Sequence, residues 1–235
     1  MAELNCEGRT TRDINAEIRR LVAAGEAVTV RSPGARHNLA VALLERGEVV
    51  FDGSVGYYCA GLMDGAAVRV RGSAGWGLAE SMLSGEVVVE GSAGNSAGAA
   101  IRGGTVVVLG DSGARTGVSM KNGVILVTGS CGYMSGFMGQ GGKLIVCGDA
   151  AEALGDSMYE TVCFVGGRIA DLGNDAVVVE STDEDKEFLD AALARYVPSS
   201  LRAGLPDGGG FRKVVAGRKL WNFDKAEWRT WEEAL

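Results

Sequence analysis

The chain has 235 residues, of which 37 are glycine and three proline, while 46% are hydrophobic. Glycine at roughly twice its average usage without abundant proline excludes a collagen, and the apolar share excludes a flexible linker. A net charge of −7 argues against nucleic acid or an anionic membrane surface as the main partner.

Met1 to Asn5 carries neither a basic start nor an apolar run, so no export signal is expected and the expected location is cytoplasmic. No segment approaches the roughly 18 apolar residues that span a bilayer. Thr10 to Gly25 reads as a helix, with Thr10 and Asp13 as a capping box, Ile14, Ile18 and Leu21 on one face and Gly25 as its stop. Val28 to Val30 reads as a short strand. Ser32 to Gly47 reads as a second helix starting near Pro33. Residues 1–46 are therefore expected to form an N-terminal helical cap.

From Gly53 to Gly148 the chain repeats with a period of 19: Gly53, Gly72, Gly91, Gly110, Gly129 and Gly148 open successive units. Gly56, Gly75, Gly94, Gly113 and Gly132 follow three residues later, and Gly65, Gly85, Gly104, Gly123 and Gly142 open apolar runs such as Glu86 to Glu90. Each run is short and β-branched, hence strand. Nineteen residues are too few for a strand plus a crossover helix, which takes about 30. They suit one coil of a parallel β-solenoid, with glycine at the corners. The expected fold class is an all-β core, a right-handed parallel β-helix over 47–180, with degraded units at Val162 to Val165 and Ala176 to Val179.

Strand alternation turns Val68, Val87, Val106, Ile125 and Leu144 inward, with Val70, Val89, Val108, Val127 and Val146. Met63, Met82, Ile101, Met120 and Met158 form a third column, expected to line another wall. Val88, Val107, Leu126 and Ile145 then face outward as an aliphatic stripe that needs a cover. Two covers are open: the chain's own C-terminal helix, or a partner subunit for which the stripe would be the interface.

Residues 181–235 are expected to hold that helix, a linker and a docking tail. Ser181 and Glu184 read as a capping box before a helix with Phe188, Leu189, Ala192, Leu193 and Tyr196 on one face, ending before Pro198. Ser199 to Gly210 reads as loop. The tail is locally basic from Phe211 to Phe223, and it carries Trp221, Trp228 and Trp231, candidates for docking on a partner.

Motifs that could carry chemistry are weak. Gly94 to Gly98 matches G-x-S-x-G, but both glycines are repeat positions and the single histidine, His37, lies upstream. Gly139 to Gly142 lacks a following helix start to cradle a phosphate. His37 reads as a satisfied surface or interface residue. Tyr57, Trp76 and Tyr133 share one position of the repeat and read as stacked packing. Asp111 and Asp149 read as turn residues. The cysteines, Cys6, Cys59, Cys131, Cys147 and Cys163, are odd in number and form no C-x-x-C, so reduced thiols are expected rather than disulfides or a metal site. No catalytic, cofactor-binding or metal-binding residue is assigned on this chain.

The succession of G-x-x-G-x-x-x-(A/G) coils with G-x-V-x-V-x-G closures resembles the C-terminal β-helix domain of glutamate synthase over about residues 28 to 180, with Leu43 to Gly53 similar to its lead-in. In size and layout, from Thr11-Arg-Asp-Ile-Asn to Lys219-Leu-Trp-Asn-Phe223, the chain is similar to the stand-alone β-helix subunit of N-methylglutamate synthase. The resemblance implies a non-catalytic structural subunit of a complex that turns glutamate and methylamine into N-methylglutamate and ammonia. It implies two partners, an amidotransferase-like subunit and an FMN-binding subunit with an iron–sulfur cluster, which would hold the cofactors. It also leaves open a glutamate synthase-like subunit making glutamate from glutamine and 2-oxoglutarate. A third reading is the β-helix subunit of a formylmethanofuran dehydrogenase-like formyltransferase/hydrolase. Cys6 follows five residues and does not match the family's N-terminal nucleophile.

Overall fold

Residues 2–218 are described by the computed structural model. In chain order the elements are β1 (Ala2–Asn5), α1 (Thr11–Ala23), β2 (Val28–Arg31), β3 (Glu48–Asp52), β4 (Asp64–Val70), β5 (Ser84–Val89) and β6 (Thr105–Val108). There follow β7 (Val124–Val127), β8 (Lys143–Val146), β9 (Val162–Val165), β10 (Ala176–Val179), α2 (Asp183–Tyr196), α3 (Ser199–Arg202) and β11 (Arg212–Ala216). β1 to β9 stack in sequence order, each parallel to the next. Glu86 pairs with Thr105, Thr105 with Val124, Val124 with Lys143 and Lys143 with Val162, so every step is one 19-residue coil. The early Gly65 shows up as a register shift between Asp64 and Ala67. The architecture is a parallel β-solenoid, as the repeat requires.

Two further walls close each coil. One is a column of single bridges running Val55, Ala74, Ala93, Ser112, Cys131, Ala150, Ile169. The other is a run of turns in which every second residue is left-handed: Tyr58, Ala60 and Leu62 in one coil, Gly77, Ala79 and Ser81 in the next. The N–H groups of this wall reach alternately up and down the stack. Tyr58 donates to the Trp76 carbonyl at 2.8 Å, Ala60 to Leu39 at 3.0 Å and Leu62 to Glu80 at 2.8 Å. All three predicted interior columns are buried, Met63, Met82, Ile101, Met120 and Met158 included.

The second N-terminal helix does not form. Asn38, Ala40 and Ala42 have φ of 59°, 54° and 51°, the same left-handed triplet as in the later coils. Leu39 and Leu43 suggest a helix face by their spacing of four, yet both are fully buried inside a coil. Inward positions of the turn wall are spaced four apart everywhere: Cys59 with Met63, Leu78 with Met82, Ala97 with Ile101. The solenoid wall thus imitates helical periodicity. The stack of strands begins with β1 and β2, well upstream of Gly47. Only α1 is helical at this end. Its capping box of Thr10 and Asp13 is present, and Ile14, Ile18, Leu21 and Val22 pack into the solenoid core.

At the other end, α2 is capped one residue later than expected, by Thr182 and Asp185. The Thr182 hydroxyl accepts the Asp185 N–H at 3.2 Å, and the Asp185 carboxylate accepts the Thr182 N–H at 2.9 Å. Part of the predicted tail is strand: β11 inserts between β9 and β10, antiparallel to both. The predicted loop before it contains α3 and a turn of 3₁₀ helix over Gly208–Gly210.

Candidate functional site

The outward stripe is occupied by the chain itself. Val107, Leu126 and Ile145 have no exposed surface and Val88 retains 5%. Leu189, Ala192, Leu193 and Val197 of α2 and its C-terminus lie over them, with Phe164 and Phe211 in the same cluster. The partner-interface reading of Val88, Val107, Leu126 and Ile145 is therefore corrected: an apolar helix face spaced three and four apart matches the stripe and dries it. Polar ties fix the helix. Lys213 Nζ reaches Asp185 at 2.7 Å, Tyr196 Oη donates to Thr105 Oγ1 at 3.3 Å, and Lys143 Nζ sits 4.5 Å from the centre of the Phe188 ring. Trp221, Trp228 and Trp231 lie outside the described residues.

The sequence motifs resolve into scaffolding. In Gly94 to Gly98, Ser96 is left-handed and its N–H goes to the Ala114 carbonyl at 2.8 Å. Gly139 to Gly142 leads directly into β8. His37 is not helical: its Nδ1 accepts the Tyr57 N–H at 2.9 Å and its ring stacks on Tyr57 at 4.4 Å. All five cysteines are free and buried. Burial pushes the thiols of Cys59, Cys147 and Cys163 up to about 12, so these groups stay protonated and inert. Among the described residues no three or more His, Cys, Asp or Glu side chains are grouped to hold a metal ion.

Asp111 and Asp149 do more than close turns: they belong to a polar ladder. Ser54, Ser73, Ser92, Asp111, Ser130 and Asp149 stand one coil apart. Each side chain accepts the backbone N–H of the residue one coil on, from Ser73 N–H at 3.0 Å to Arg168 N–H at 2.7 Å. Its sequence signal is a short polar acceptor recurring every 19 residues, which single-turn readings of the two aspartates overlook.

One surface left open for contact is the turn wall of the first coils. His37, Tyr57 and Trp76 form a continuous stack, the last pair 5.4 Å apart and 17° from parallel. Tyr133 occupies the same repeat position, but Asn95 and Ala114 intervene, so it stands apart. Beside the stack a depression of ≈ 230 Å³ is lined by Asn38, Val41, Tyr58, Gly61, Leu62, Glu80 and Ser81. Tyr58 and Leu62 are about half exposed, and Leu44 and Leu83 extend the apolar surface nearby. The wall thus presents rings and aliphatic tips beside one lining carboxylate, Glu80.

No family model matches the chain. It is 51% identical over 215 residues to Protein GlxC of Rhizobium meliloti (strain 1021), an alignment covering 91% of this chain and 92% of that protein. With half of all positions shared along nearly the full length of both, the chain belongs to the GlxC family.

Proposed function

We propose that this chain is a glutamate synthase-related structural subunit of an N-methylglutamate synthase-type complex. Its work is to hold an amidotransferase-like subunit and an FMN- and iron–sulfur-binding subunit in fixed register. In such a complex glutamate and methylamine give N-methylglutamate and ammonia. The observation that carries the reading is the strict 19-residue coil from Glu86 to Val162, the repeat on which the sequence resembles the glutamate synthase β-helix domain. A parallel stack hydrogen-bonded at every rung is stiff along its axis, and the Tyr58–Leu62 wall supplies a place to dock.

The test is to isolate the complex through a tag on the full chain, from cells grown with methylamine, and assay it. Methylamine- and glutamate-dependent formation of N-methylglutamate, with flavin in the preparation, supports the reading. A complex that contains a metal-dependent amidohydrolase and no flavin contradicts it.

A further inference from the structure

The two ends of the solenoid are finished differently. At the first end α1 lies over β1 and β2 and Leu4 is buried. At the last end the sheet stops at β10, with no further strand beyond it among the described residues. Val178 pairs with Val214, which is fully buried in the interior. Opposite residues of an antiparallel pair share a face, so Val178 continues the interior column, yet it is 50% exposed. Val179 beside it is 39% exposed. Ala-Val-Val-Val has no charge, proline or bulge to blunt it, the devices by which free edges are normally protected. Such an edge offers a row of N–H and C=O groups to an incoming strand.

Charge around the edge selects what can add. Asp171, Glu180 and Glu184 are exposed about β10, while the nearby cations are engaged: Lys213 with Asp185 and Lys186 with Asp183. A second copy's β10 would bring these carboxylates no cation, since Ala176 to Val179 and both flanking residues, Asp175 and Glu180, include no lysine or arginine. Addition of a second copy's β1 would bring in Glu3 and would not close. We propose that the free edge of β10 is a strand-addition site for a segment of another protein that is extended, β-branched and flanked by lysine or arginine. The inference is independent of which reaction the complex performs.

The probe is a fluorescent seven-residue peptide of alternating valine and threonine with lysine at both ends, titrated into the full chain and followed by anisotropy. Saturable binding is expected, at least tenfold weaker for the same peptide ended in glutamate and weaker as salt rises. Val178→Lys should abolish it without lowering the thermal midpoint, since the side chain is half in solvent. A second variant, Glu180→Lys with Glu184→Lys, leaves β10 intact and should weaken binding at least fivefold. Equal binding of both peptides, or of both variants, overturns the proposal. So does dimerisation of the full chain that Val178→Lys abolishes, which would assign the edge to a second copy. A photoreactive group on Val178→Cys that labels residues 219–235 would assign the edge to the chain's own end and would equally overturn the proposal.

Discussion

At the scale of single residues, the glycine columns exist because successive coils approach so closely that a Cβ would strike the neighbouring coil's backbone or a side chain leaning over it. A Cβ on Gly75 would stand 2.5 Å from Tyr57 Cδ1, and one on Gly94 would stand 2.5 Å from Trp76 Cδ1. Neither glycine needs a left-handed φ, so what is demanded is space. Gly94→Ala should cost about 1–3 kcal/mol, the usual range for overpacking, measured from urea midpoints. In a double-mutant cycle Trp76→Ala should recover part of that loss, because the ring is the nearest obstacle; strict additivity would refute the lean. The left-handed positions follow another logic. Ala60 and Ala79 occupy the column that is glycine at Gly98, Gly117, Gly136 and Gly155, with nearly the same φ. Alanine carries a penalty of roughly 1–2 kcal/mol there, which the inter-coil hydrogen bonds offset. Because the conformation is shared by Ala, Ser, Tyr, Leu and Arg, composition alone does not disclose it. The thiols give a separate expectation. With folded values raised to about 12 for Cys59, Cys147 and Cys163, the unfolded chain loses these protons first. Stability is therefore complete below the unfolded thiol value of about 8.5 and falls as pH rises from there toward 12. Thiol-reactive dye at neutral pH should label these three only in denaturant; rapid labelling of the native chain would contradict their burial.

At the scale of elements, the helix α2 converts an exposed stripe into a second core. Val107→Asp or Leu126→Asp places a carboxylate under that helix and should cost on the order of 3 kcal/mol or more, read as a lower thermal midpoint and earlier proteolysis within 183–197. Unchanged stability would mean that the helix does not seal the stripe. Burial pushes the Asp185 carboxyl up, but hydrogen bonds from Lys213 and Thr182 outweigh it and hold the group below the ordinary range. A lowered folded value contributes stability that is complete above the unfolded value of about 4 and disappears as pH falls through the folded one. Acid should thus loosen α2, and Asp185→Asn should flatten that dependence in pH-resolved melts; an equal slope would mean that the Asp185–Lys213 tie does not hold the helix. Strands β2 to β10, the inward columns and α2's apolar face are legible in the sequence because each rests on local pattern, whereas β1 is not. The coil at 32–46 is not, since inward residues four apart mimic a helix. Nor is β11, whose pairing with β9 and β10 is non-local. Which of two covers hides the stripe depends on where the chain returns in space, and no local pattern holds that.

At the scale of the whole molecule, the described chain presents a self-sealed rod with two open features, the aromatic wall of the early coils and the edge of β10. The acidic balance of −7 fits an assembly whose contacts are selected by charge at the edge and by apolar packing at the wall. Tyr58→Glu with Leu62→Glu should leave folding within the roughly ±0.5 kcal/mol typical of surface changes and still strip partners from the tagged chain; retention of all partners would mean that the wall is not a docking surface. The most direct measurement is the native mass and flavin content of the full chain in gently lysed cells, by size exclusion with light scattering and absorbance. A scaffold subunit should run as a single assembly several times the 24.3 kDa of this chain, yellow with flavin bound to a partner. A colourless species of 24.3 kDa under conditions in which N-methylglutamate is being made would contradict that role.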